Sequence, residues 1–195
     1  MNTTHYAGLF ESTWKRKETI LTILTSTTAL LILLTSGWLR VWAGGVPHTM
    51  QTQAVIVLAM CLPRKTSLAT IIAYVAVASF APIKITMTPG IFGITGGYFF
   101  GFVLATMYLG NKKTNHAHIR IIDAFLAQSI ILGSGVLWIS LWTGLAKAIS
   151  IGLTPFLLTD SLKLAAAIFL ARAISAGHKT TVTTKKKHSN AHWLL

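Results

Sequence analysis

The chain has 195 residues, the size of a single domain, but its composition does not suit a surface facing water. Apolar residues make up 53% of it and Asp, Glu, Lys and Arg only 11%, where soluble domains carry about 25% charge; the mean hydropathy is +0.63. The 17 basic and 4 acidic residues leave a net charge of +13, which in a soluble protein would point to nucleic acid. Here the charges lie between apolar runs, so membrane lipid is the expected surrounding and nucleic acid is not an expected partner. The single Cys61 excludes an internal disulfide and a multi-cysteine metal site.

The elements are predicted by length and by what interrupts them. Crossing a hydrocarbon layer of about 30 Å takes about 20 helical residues. After Lys15-Arg16-Lys17, the first such run covers 19–42; it is too long, and too poor in a small-x-small exit, for a cleaved leader. A shorter run follows at 48–62 and stops at Pro63-Arg64-Lys65. The third covers 66–82. Pro89-Gly90 opens a fourth, 90–109, which Gly110-Asn111-Lys112-Lys113 closes. A fifth covers 121–142 and a sixth 151–176. The expected layout is a cytoplasmic segment 1–18, a membrane domain 19–176 and a basic cytoplasmic tail 177–195.

Five spans would follow if the short second run were re-entrant, and the basic residues argue for six. With six spans, thirteen lysines and arginines fall on one side and only Arg40, Lys84 and Lys147 on the other. Positive charge gathers on the cytoplasmic side. The reading is an all-α, six-transmembrane-helix bundle in the cell membrane with both termini cytoplasmic.

Within the fourth run, Gly93, Gly97 and Gly101 recur every four residues and would share one helix face. Such spacing permits close backbone approach, either to another helix or to a ligand. Thr95-Gly96-Gly97-Tyr98 adds a hydroxyl, exposed backbone and an aromatic ring near the expected outer entrance.

Asp160 and Lys163 are the sharpest feature. Three residues apart, they lie on one face of a helix that is otherwise apolar. Pro155 can start or bend that helix; from a start there, Asp160 would lie about 7–8 Å along it, in the outer half of the membrane. Charges at such depth face a cavity or another polar group. The carboxylate can accept ureido or amide N–H groups and the ammonium can meet a carboxylate. A lock between helices and a proton relay are the competing readings.

Thr49, Gln51, Thr52 and Gln53 open the second run, and either face an external pocket or cap and cross-link helices. Trp138 and Trp142 form an apolar wall or an interfacial belt, Tyr74 reaches the cavity, and Asp123 caps or charge-balances the start of the fifth helix. His116 and His118 lack supporting ligands, so no metal is expected. A phosphate-binding G-x-x-x-x-G-K-[ST] loop, a serine elbow and paired carboxylates are all missing from the sequence, which predicts no catalytic residues. Not an enzyme, then.

Four segments together resemble one family. They are Val46-Pro47-His48-Thr49-Met50-Gln51-Thr52-Gln53-Ala54-Val55, Thr95-Gly96-Gly97-Tyr98-Phe99-Phe100-Gly101-Phe102, Gly135-Val136-Leu137-Trp138, and Pro155-Phe156-Leu157-Leu158-Thr159-Asp160-Ser161-Leu162-Lys163. In order and spacing they are similar to the BioY family of biotin transporters, the substrate-binding S components of energy-coupling factor (ECF) transporters. The resemblance implies six membrane helices, biotin as the ligand and no cofactor. It also implies a transmembrane coupling subunit and two cytoplasmic ATPases as partners, the latter supplying all ATP hydrolysis. Vitamin recognition maps to Thr95-Gly96-Gly97-Tyr98 and to Asp160 and Lys163. His48 stands where the family usually has phenylalanine, and Ile94 where it commonly has proline. The alternatives are a binding or transport component for another small vitamin, or a structural or regulatory membrane protein.

Overall fold

A computed structural model of the chain describes residues 3–43, 46–81, 90–110, 117–156, 159–160, 162–166 and 168–169; for residues 3–15, 40–48 and 117–120 it describes the backbone alone. Helix α1 runs from Thr3 to Ser36 without a proline. Several of its hydroxyls are satisfied internally. Thr22, Thr25, Thr28 and Thr35 each donate to the carbonyl four residues back, at 2.8–2.9 Å, which lets threonine sit in apolar surroundings. Trp38 turns on Thr35, and a two-stranded antiparallel ribbon follows, β1 Arg40–Ala43 and β2 Val46–Thr49, with Arg40 opposite Thr49.

The ribbon corrects two expectations. The first apolar run does not continue as helix to residue 42, and the second does not begin as helix at His48. Val41 and Trp42 favour extended backbone, and Val46-Pro47 cannot easily enter a helix, because the residue before a proline is pushed towards extended conformations. Helix α2 spans Gln51–Cys61, eleven residues or about 16 Å, too short to cross the hydrocarbon alone. Pro63 holds Leu62 extended (φ −93°, ψ 155°), then caps α3, Arg64–Phe80, where its carbonyl accepts from Ser67 N at 2.9 Å. The predicted stop at Pro63 is where the chain turns.

Gly90 begins a short 3-10 turn, Gly90–Phe92, with φ of +59°, and a Cβ there would lie 2.4 Å from Ser79 Cα. No other residue suits both conditions. Helix α4, Gly96–Gly110, follows; then come α5, Ala117–Thr143, and α6, Leu145–Gly152. Gly93 precedes α4 in a bend, so it does not share a helical face with Gly97 and Gly101 as the spacing predicted. The gap between the fifth and sixth runs is also not plain loop. It holds α6, set off from α5 by Gly144 at φ +81°. The chain bends at Leu153 (φ −120°, ψ −55°) just before Pro155, and helical positions resume at 154–156, 159–160, 162–166 and 168–169. Of the two expectations for Pro155, a start or a bend, the structure shows a break at Leu153 with helical residues on both sides of it. The remainder of the sixth run, the tail 177–195, Lys84 and His116 lie outside the described residues.

Among the described residues, two helices are long and apolar enough to cross a membrane, Arg16–Ser36 and Ile121–Thr143; Gln51–Cys61, Gly96–Gly110 and Leu145–Phe156 are apolar but shorter. Helix α4 sits centrally and packs on α5, α3 and α2, and its Phe99, Phe102 and Ala105 join Ile131, Ile71 and Val55 in one buried cluster. The outward faces are also apolar. Leu21, Ile23, Leu24 and Leu31 on α1, and Ile122, Phe125 and Leu137 on α5, are exposed, a surface matched to hydrocarbon rather than water. Among the described residues the fold is all-α apart from the ribbon.

Candidate functional site

Asp160 is buried, and both of its oxygens are engaged. Oδ2 accepts from Gln128 Nε2 of α5 at 2.8 Å, and Oδ1 pairs with Lys163 Nζ at 3.3 Å. The predicted i,i+3 pair is thus formed, and Gln128 anchors it to the neighbouring helix. Of the two ionic side chains, Lys163 is the accessible one, at 22% against 4% for Asp160. A carboxylate so placed would be costly without partners, and here a cation and an amide donor supply them.

Lys163 opens onto a groove of about 660 Å³ between α1 and α2. Ala29, Ile32, Val57 and Leu58 supply apolar walls; Thr25, Thr28 and Ser36 add hydroxyls that are already bonded within α1. Gln53 also lines it, with neither amide atom hydrogen-bonded among the described residues. A mostly apolar groove carrying a few polar groups is the usual form of a small-molecule site.

The other expected site residues fall into two groups. Thr49 donates to Gln51 Oε1 at 2.8 Å, and Gln51 Nε2 donates to the Tyr74 hydroxyl. Tyr74 is fully buried and stacks on Phe99 with centroids 5.8 Å apart, so it ties α2, α3 and α4 together. Tyr98 reaches the other way. Its hydroxyl donates to Gly152 O at 2.8 Å, fixing α4 to the end of α6 beside the Asp160 segment. Tyr98→Phe leaves that buried carbonyl without its donor and should cost about 1–2 kcal/mol, read as a lower unfolding temperature of the purified protein. An unchanged unfolding temperature would remove this tie from the account.

The glycine face of α4 meets protein. A Cβ on Gly97 would lie 2.2 Å from Trp138 Cβ, one on Gly101 2.2 Å from Ser134 Oγ, and one on Gly96 2.3 Å from Ile91 O. Trp138 is half-buried, donating Nε1–H to Gly93 O at 3.1 Å and lying against Phe100, whereas Trp142 is exposed. Thr95 sits in the turn before α4 and accepts the Tyr98 amide through its carbonyl at 3.1 Å. Asp123 does not cap α5 but lies inside it, accepting from the Tyr108 hydroxyl of α4 at 2.8 Å.

Sequence reasoning missed Gln128. A glutamine in an apolar span is the available signal, since an amide in hydrocarbon needs a partner. Its partner, 32 residues away, is visible only in the fold.

Residues 10–180 match the sequence model of the BioY family. The chain is 29% identical over 155 residues to a protein of Pyrococcus horikoshii named a probable biotin transporter BioY, covering 76% of this chain and 94% of that one. It is 30% identical over 152 residues to a biotin transporter BioY of Thermotoga maritima, covering 74% and 88%. Among solved structures, the crystal structure of an S-component for biotin from an ECF-type ABC transporter superposes with a TM-score of 0.71 at 16% identity, over 82% of this chain and 93% of that one.

Proposed function

Since the chain belongs to the BioY family, we propose that it captures biotin and serves as the substrate-specific S component of an ECF-type transporter. The observation that carries this reading is the Asp160–Lys163 pair, anchored to α5 by Gln128, whose Lys163 lines an apolar groove. Biotin has a ureido head rich in hydrogen-bonding groups, an apolar ring system and tail, and a carboxylate. Asp160 accepts a ureido N–H, and Lys163 donates to a ligand oxygen. The apolar walls take the rings and tail.

The chain binds and carries; it converts nothing. With no nucleotide-binding loop of its own, it draws on ATP hydrolysis in two cytoplasmic ATPases through a transmembrane coupling subunit. Thr95, Gly96, Gly97 and Tyr98 belong to the same site in this reading, by placing α4 against α5 and α6, and so do Thr49, Gln51, Tyr74 and Trp138.

Six spans and cytoplasmic termini fit this role, supported by the thirteen-to-three division of basic residues. With Cys61 removed, a cysteine at position 84 should react with an impermeant external reagent and one at position 113 should not. Equal labelling of the two would rule the topology out. The function itself is tested by equilibrium binding of labelled biotin to detergent-purified protein, with desthiobiotin and riboflavin as competitors. Saturable binding that biotin displaces and riboflavin does not is the expected result. No biotin binding by folded protein would overturn the reading.

A further inference from the structure

Gln53 is a poor choice of residue for its position unless something else meets it. It lies in the first turns of α2, is only 4% exposed, and its amide nitrogen and oxygen have no hydrogen-bond partner among the described residues. The neighbouring amide offers a contrast, because Gln51 bonds to both Thr49 and Tyr74. Buried polar atoms without partners are rare and costly, more so where no water replaces them. A leucine or methionine of similar volume would fill the same space without that cost.

The groove supplies the second observation. Gln53 from α2 and Lys163 from the last described segment line the same 660 Å³ space. Glutamine is unbranched, and a change of side-chain rotamer turns its amide without moving the helix. We propose that Gln53 is a ligand-contacting, specificity-determining residue whose carboxamide reads one edge of a cyclic urea. The inference rests on the biotin reading above.

The chemistry selects that group over a carboxylate. A primary amide presents a donor and an acceptor side by side. A carboxylate would satisfy only the donor and leave Oε1 stranded. A cyclic urea has two edges, each with an N–H beside the shared carbonyl, and the carbonyl oxygen accepts twice. Asp160 and Lys163 complement one edge as acceptor and donor. Gln53 complements the other in the same sense. Both orphaned amide atoms are then satisfied, and all three polar groups of the urea are read.

The experiment measures heat stability without ligand, and affinity for biotin and for biotin amide, in parental protein, Gln53→Leu and Gln53→Met. Without ligand, both variants should unfold at the parental temperature or about 2 °C or more above it, since each removes an orphaned amide. Both should bind biotin at least tenfold more weakly, and the loss should be the same for biotin amide, whose carboxylate is masked. Affinities within twofold of parental in both variants would overturn the proposal. So would a marked loss of heat stability or failure to fold in both, because Gln53 would then be holding the helices. A loss seen with biotin and absent with biotin amide would move Gln53 to the carboxylate end and overturn the urea assignment. Parental protein that binds no biotin would sink the transport reading, and the ligand assignment with it; parental binding with unaltered variants sinks Gln53 alone.

Discussion

Asp160→Asn and Lys163→Met should each weaken biotin binding by more than tenfold, and they should differ in what they do to the fold. Losing one member of a hydrogen-bonded charged pair at a binding surface costs about 2–5 kcal/mol, and 1.4 kcal/mol is one decade in affinity. The pair is asymmetrically buried, with the Lys163 side chain 22% exposed and Asp160 almost fully enclosed. Lys163→Met therefore leaves a carboxylate in apolar surroundings with its cation gone and Gln128 still donating. A stranded buried charge is the more damaging outcome, and this variant should lose the more heat stability. Asp160→Asn leaves an ammonium that can turn into the groove, so its fold should suffer less. The double variant separates function from structure. It has no stranded charge and should regain stability, while biotin affinity stays low. Recovery of affinity along with stability would show that the pair locks helices and does not touch the ligand. The measurements are calorimetric binding and thermal unfolding on the same detergent-purified samples, with Lys186→Met as a control.

That pair is legible in the sequence because both residues lie in one helix, three apart, and intrahelical geometry is fixed by the backbone repeat. The same holds for the stop at Pro63 and for the fifth helix, whose apolar length leaves little freedom. What the sequence hid were partners on other elements and breaks inside apolar runs. Gln128 reaches Asp160 across 32 residues, and no spacing rule connects them. The ribbon at Arg40–Thr49 interrupts what reads as two hydrophobic spans, since hydropathy does not separate a membrane helix from a short extended pair. The available signs were local: Val41-Trp42 and Val46-Pro47 on either side of Gly44-Gly45, a turn-forming dipeptide between residues that favour strands. Gly93 shows the opposite failure, where a correct four-residue spacing was extended one step beyond the true helix start at Gly96. Gln53 was visible as one of several polar residues opening α2. Only packing shows that its amide, unlike that of Gln51, has no partner among the described residues.

Gly97→Leu should be among the most disruptive single changes in the chain. The nearest neighbours of a Cβ at Gly97 are Trp138 Cβ at 2.2 Å and Ser134 O at 2.4 Å, and neither is the free end of a flexible side chain. The first is fixed to its backbone and the second is backbone. Accommodation therefore requires α4 and α5 to separate, although they form the most extensive helix pair in the fold. Separation would also pull Trp138 from its bond to Gly93 O, loosening the turn that starts α4. Overpacking a well-filled core costs about 1–3 kcal/mol where neighbours can yield, so the upper end or beyond is expected here. Gly133 provides the matched control on α5, since nothing lies within 4 Å of a Cβ added there. Gly133→Leu makes the same chemical change, also within a helix, where leucine is favoured over glycine by about 0.8 kcal/mol, and it should be neutral or stabilising. Thermal unfolding of the two variants in detergent decides the matter. A clear loss of unfolding temperature in Gly97→Leu and none in Gly133→Leu is the expected pattern. Equal stability of the two would mean that α4 and α5 are not in close contact at Gly97, and the placement of Tyr98 towards Gly152 and the Asp160 segment would lose its support.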